Sequence, residues 1–225
     1  MKILGRIAGW IFIIAMPALL ISASIGGAFN SQWLYEYGFQ KYGVSQTTGL
    51  APAELSKAAK ALISYFNSGY EYISVTVTKD GKPFELFTRE ESIHFKDVKG
   101  LVWLDYTVLL ISFLYALGYA LACVFCHRPA HRRRLAKGVM GGSTLTLGLM
   151  LALGIGFAVG FEQLFLQFHF LAFTNQFWSA PGYMLKLFPG GFWFDATVFC
   201  VSAAIGLAVV PGLAAFFYLR LSKER

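Results

Sequence analysis

The chain has 225 residues, of which 56% are hydrophobic and 14% charged, and its mean hydropathy is +0.57. That balance excludes an ordinary soluble domain and describes an α-helical membrane protein. The net charge of +7 resembles a nucleic-acid signal, but the basic residues collect at the ends of apolar runs, so no nucleic-acid partner is expected.

Four segments are apolar over the roughly 20 residues a helix needs to cross a hydrocarbon core: Ile7 to Phe29, Leu101 to Cys126, Gly138 to Phe161 and Phe192 to Leu219. Lys2 and Arg6 precede the first, Arg128, Arg132, Arg133, Arg134 and Lys137 fill a short loop between the second and third, and Arg220, Lys223 and Arg225 follow the fourth. The positive-inside rule places all three groups, and both termini, in the cytoplasm. The sequence therefore reads as a single multi-pass membrane domain, 1–225. Residues 30–100 form an extracytoplasmic cap insertion, and 162–191 form an outer re-entrant or interfacial segment.

The first span follows two basic residues and ends in ISASIGGA, and its length favours an uncleaved helix over a signal peptide. Pro17 predicts a kink, and Gly5 and Gly9 have the spacing of close helix packing. Trp33, Tyr35, Tyr37, Phe39 and Tyr42 then crowd a polar segment as interface anchors. Pro52 opens a helix that reads to Asn67, with Leu55, Ala59, Leu62, Ile63 and Phe66 on one face and Gly69 as the residue just past its end. Tyr72–Thr78 and Phe84–Phe87 flank an Asp80-Gly81 dipeptide, the signature of a hairpin. The cap is thus a small α+β unit.

Thr88 to Lys99 is the most polar dodecamer of the chain. Thr88 and Glu91 form a capping box, and a helix starting there sets Glu90, Glu91, His94 and Asp97 on neighbouring turns. Gly100 loosens the junction into the second span. The third span carries Gly138 and Gly142, then Gly156 and Gly160, again at packing distance. Beyond it, FEQLFLQFHFLAFTNQFW is too polar to span and too aromatic for a free loop, so an outer interfacial helix is expected, with Glu162, His169 and Gln176 on one face. Pro181, Gly182 and Pro189-Gly190-Gly191 end it.

Cys123, Cys126 and Cys200 read as small apolar residues, with no disulfide framework. His127 and His131 sit in the basic loop and are expected to be solvated. No G-x-S-x-G, Walker A, H-E-x-x-H or G-x-G-x-x-G sequence occurs. Two outward histidines with nearby carboxylates remain. A metal reading of His94, His169 and one acid is the weakest, with only three ligands, so no metal and no cofactor is expected.

FTREESIHFKDVK, and FLQFHFLAFTNQFW followed by LFPGGFWFD, resemble the two signature blocks of the bacterial four-span family that includes lipoprotein intramolecular transacylase. The resemblance implies an acyltransferase of the bacterial cytoplasmic membrane, facing outward. It would move the sn-2 acyl chain of a diacylglyceryl lipoprotein cysteine onto that cysteine's own α-amine, giving the lyso form. Its partners would be a diacylated lipoprotein N-terminus and membrane lipids. By motif the catalytic pair falls on His94 and His169, with Glu90, Glu91, Asp97, Asn175 and Trp178 in support. The chain departs from the family pattern after Trp178, where Ser179-Ala180-Pro181-Gly182 stands in place of a stretch expected to hold an acid. The expected chemistry gives His94, oriented by Glu91 or Asp97, the amine proton, and has His169 steady the oxyanion or protonate the departing oxygen, with the reverse assignment open. The alternative is a non-catalytic membrane protein whose outer cap binds a lipid, peptide or partner protein.

Overall fold

The computed structural model describes residues 2–125 and 129–222. Cys126, His127, Arg128, Lys223 and Arg225 lie outside the described residues. The architecture is an α-helical membrane protein: four helices are long and apolar enough to cross a membrane, Ile3–Phe29, Arg89–Phe125, Ala130–Ala172 and Gly190–Leu221, beside a small two-stranded sheet. In chain order the elements are α1 (Lys2–Phe29), α2 (Gln32–Lys41), α3 (Val44–Thr48), α4 (Pro52–Phe66), β1 (Thr76–Lys79), β2 (Lys82–Glu85), α5 (Arg89–Phe125), α6 (Pro129–Ala172), a 3-10 turn (Phe177–Ser179), α7 (Tyr183–Leu187) and α8 (Gly190–Leu221). They form two compact units, one of Met1–Gly26, Asp105–Ala158 and Cys200–Arg225, the other of Gly27–Leu104 and Val159–Phe199.

The first unit is built from spanning helices alone. Phe12, Met16 and Leu20 of α1 pack with Ala116 of α5 and Ala208 of α8, and Phe12 stacks on Tyr119 with ring centroids 4.7 Å apart. Gly138 and Gly142 have the expected packing role: a Cβ at Gly138 would lie 2.9 Å from the Phe12 ring and one at Gly142 2.5 Å from Met16 Cβ. α1 runs through Pro17 as one helix.

The second unit holds the polar chemistry. Ser31 caps α2 by accepting the Leu34 N–H. Tyr35 and Phe39 are buried there instead of anchoring an interface, because they pack on Phe188 and Phe192. α4 buries Leu55, Ala59, Leu62 and Phe66 as its period requires. Its end is closed by Asn67, whose side-chain amide donates to the Ile63 carbonyl at 2.8 Å. Gly69 is not the expected left-handed cap, since it has no positive φ. The Asp80-Gly81 turn has φ of 52° and 76°, the left-handed pair of a two-residue hairpin, and joins β1 to β2 in the register Lys79↔Lys82 to Thr76↔Glu85. Tyr72–Val75 stay outside the strand.

Three boundaries differ from the expected ones. α5 passes through Gly100 without a break, because a glycine in an exposed helix costs only about 1 kcal/mol and the helical hydrogen bonds remain. α6 begins at Pro129, so Arg132, Arg133, Arg134 and Lys137 ride on its first turns and His131 is half-buried there. α6 leaves helical geometry at Gly160 (φ 177°, ψ 80°), which makes 161–172 a helical segment of its own. That segment stops at Ala172, so Gln176 is off the face carrying Glu162 and His169.

Candidate active site

The capping box forms as the spacing requires: Thr88 N–H donates to Glu91 Oε2 at 2.8 Å, and Glu91 N–H to Thr88 Oγ1 at 3.2 Å. Glu91 is fully buried at 0% exposure, and its other oxygen, Oε1, accepts the Met184 N–H at 2.6 Å. The capping acid therefore also ties the start of α7 to the start of α5. Gly182 makes room for it, since a Cβ on that residue would run into the Glu91 carboxylate.

One turn along α5, His94 is 6% exposed, and His169, in the last turn of α6, is 7% exposed. Their ring centroids lie 6.3 Å apart with the planes inclined by 26°. The His169 Nδ1 sits 2.7 Å from the Phe165 carbonyl oxygen. A carbonyl only accepts, so Nδ1 carries the hydrogen and Nε2 presents the lone pair. His94 Nδ1 is buried with no protein partner, a state that a reacting group or substrate polar atom would relieve.

Aromatic rings wall the pair. Phe173 stands 4.8 Å from His94 and 5.5 Å from His169, Trp178 5.0 Å from His169, and Phe165 4.3 Å from His169, between ring centroids. α5 is 37 residues long, or about 55 Å, against a hydrocarbon core of about 30 Å. Its polar turns, 89–100, precede the apolar stretch that spans. In that setting burial first, and then the neighbouring His169, push the His94 pKa down to about 4, with Asp97 opposing. His94 is thus a neutral imidazole at neutral pH.

Neither expected acid hydrogen-bonds His94. Glu91 is occupied by Thr88 and Met184, and Asp97 Oδ2 accepts from Asn175 Nδ2 at 2.8 Å. Glu90 is exposed on the first turn of α5. Phe165, Phe173, Gly182 and Met184 were not legible as site residues. Met184 contributes a backbone N–H, which no side-chain pattern announces, and Gly182 reads in the sequence as an ordinary helix stop. Among the described residues no group of three or more His, Cys, Asp or Glu side chains is placed to hold a metal ion.

Three solved structures with this fold are of the membrane-integral lipoprotein intramolecular transacylase Lit from Bacillus cereus. The first is 18% identical, with a TM-score of 0.83 over 100% of this chain and 99% of that one. A histidine-to-arginine variant gives 0.78 at 18% identity over 99% and 95%, and a histidine-to-alanine variant 0.79 at 17% over 100% and 97%. No curated protein matches the chain by sequence. A family model described as lipoprotein intramolecular transacylase Lit matches residues 10–193, a range that includes both buried histidines. The chain belongs to the lipoprotein intramolecular transacylase family, Lit.

Proposed function

We propose that this membrane-integral chain moves the sn-2 acyl chain of a diacylglyceryl-modified lipoprotein cysteine onto the α-amine of the same cysteine, leaving a lyso lipid. The observation that carries the reading is the buried, facing pair His94 and His169. An α-amine titrates near ~8 and imidazole near ~6.5, so proton transfer between them is close to balanced. His169 is the base: with Nδ1–H committed to the Phe165 carbonyl, Nε2 is free to take the amine proton. His94 remains neutral and donates an N–H to the oxyanion formed as the amine nitrogen attacks the ester carbonyl. These roles reverse the order expected from the sequence, and the reason is the tautomer that the Phe165 carbonyl imposes.

The intermediate then collapses. The bond from the acyl carbon to the sn-2 oxygen breaks, and that oxygen takes the proton held on His169. One N–C bond replaces one O–C bond, and a proton moves from nitrogen to oxygen with no other reactant. Ester to amide runs downhill, and holding amine and ester on one molecule supplies much of the acceleration. Phe173 and Trp178 limit water at the imidazoles, which disfavours hydrolysis of the ester. In this reading both termini are cytoplasmic and the site faces outward, supported by the basic cluster Arg132, Arg133, Arg134 and Lys137.

The test is mass spectrometry of the N-terminal peptide of a reporter lipoprotein, expressed with this protein in a host that leaves it diacylated. The expected product has unchanged mass and one acyl group newly resistant to mild base. A diacyl peptide still fully base-labile, from well-inserted protein, would overturn the reading.

A further inference from the structure

Asp97 follows His94 by three residues on α5, and its carboxylate is spent on Asn175, 78 residues away in sequence. Asn175 lies in the turn between α6 and the 3-10 turn, two residues after Phe173 and three before Trp178. Those two aromatics form the walls against His94 and His169. The Asn175 side chain works in both directions: Oδ1 accepts the Phe177 N–H at 3.0 Å, folding the turn onto itself, and Nδ2 reaches Asp97. The remaining hydrogen bonds of the turn are local, Phe173 N–H to His169 O, the Ser179 N–H and hydroxyl to Gln176 O, and Ala180 N–H to Phe177 O. Among the described residues, Asn175 to Asp97 is the one hydrogen bond that ties 174–182 to another element. The next tie is Glu91 with Met184.

We propose that Asp97 and Asn175 are a positioning pair, whose hydrogen bond pins the turn carrying Phe173 and Trp178 against the two imidazoles and so holds His94 and His169 in working register. Asp97 serves the site through Asn175, not by contact with His94. The kinetic half of the proposal rests on the acyl-transfer reading above, whereas the structural half does not.

The pair can be exchanged. Asn175→Asp sets two carboxylates face to face and breaks the pin, while leaving an oxygen for the Phe177 N–H. Adding Asp97→Asn restores a hydrogen bond of reversed polarity, with the amide now on α5. The full-length protein in detergent micelles is followed by hydrogen exchange at 174–180 and by turnover of a diacylated reporter peptide. A hydrogen bond to a charged acceptor of this kind carries roughly a tenfold effect or more. Asn175→Asp is therefore expected to speed exchange at 174–180 by roughly tenfold or more and to lower kcat similarly, with KM within about threefold. Exchange in the hairpin, Thr76–Glu85, should not change, which shows that the fold is intact. The double exchange should bring both readouts back to within about threefold of wild type.

A double variant as fast-exchanging as Asn175→Asp would overturn the proposal. So would restored exchange with kcat still lost, because the charge of Asp97 would then act on His94 directly. If the wild-type protein leaves the reporter unchanged, the acyl-transfer reading falls, and the exchange data alone decide whether the pin exists.

Discussion

Gly182→Ala should be among the most damaging single-methyl changes in the protein. The Glu91 carboxylate is fixed on both sides, by Thr88 N–H at 2.8 Å and Met184 N–H at 2.6 Å, and has no exposed surface. The added methyl would overlap that carboxylate, so either a hydrogen bond to a charged group is given up or the α7 start is displaced. The first costs about 1.5–3 kcal/mol and the second about 1–3 kcal/mol, so a loss of about 2 kcal/mol is expected. For a chain of this size that corresponds to a fall of about 4–8 °C in melting temperature. The assay is thermal unfolding of the full chain in detergent micelles. Gly118→Ala is the control, since a Cβ there meets nothing within 4 Å. The decisive comparison is the double variant: Glu91→Ala removes the obstacle, so Gly182→Ala should add almost nothing on top of it. A wild-type melting temperature for Gly182→Ala, or full additivity with Glu91→Ala, would refute the clamp.

Two further outcomes follow from burial. His94 has its pKa pushed down to about 4 in the fold and titrates near ~6.5 when unfolded. The unfolded chain takes up a proton that the folded chain refuses, so stability is complete above about pH 6.5 and declines as the pH falls toward 4. The melting temperature should drop between about pH 7 and pH 5, and drop less in His94→Asn; equal slopes would contradict the assignment. In the spanning unit, Gly142→Val should cost about 1–3 kcal/mol by striking Met16 and the Ile13 carbonyl, and Met16→Ala in the same chain should recover part of it. An unchanged melting temperature for Gly142→Val would show that α1 and α6 do not pack there.

The features legible in the sequence were those set by neighbouring residues. Hydropathy runs marked four spans, Thr88 with Glu91 marked a helix start, and Asp80-Gly81 marked a hairpin turn, because each depends on one contiguous stretch of chain. Glycine is a weaker guide: α5 runs unbroken through Gly100 and Gly69 caps nothing, since a glycine permits an interruption without requiring one. Gly160 does interrupt its helix, and nothing in its immediate sequence distinguishes it from Gly100. The two histidines could be named from the sequence. Their juxtaposition, the engagement of Asp97 with Asn175 and that of Glu91 with Met184 are tertiary facts between residues 75 to 93 positions apart, whereas the His169 tautomer is set within its own helix, by the Phe165 carbonyl four residues back. Local pattern therefore suggested that those acids orient His94, whereas the fold assigns them to the 173–184 segment.

The most direct test of the central claim is single-turnover acyl transfer by purified protein on a synthetic diacyl lipopeptide whose sn-2 chain alone is isotopically labelled, with His94→Ala and His169→Ala alongside. The account predicts the label on the cysteine nitrogen with wild type. It also predicts a loss of about a hundredfold or more in each variant, while thermal unfolding shows each to be folded. Label on the nitrogen at near wild-type rate in either variant would contradict a mechanism that runs through both imidazoles.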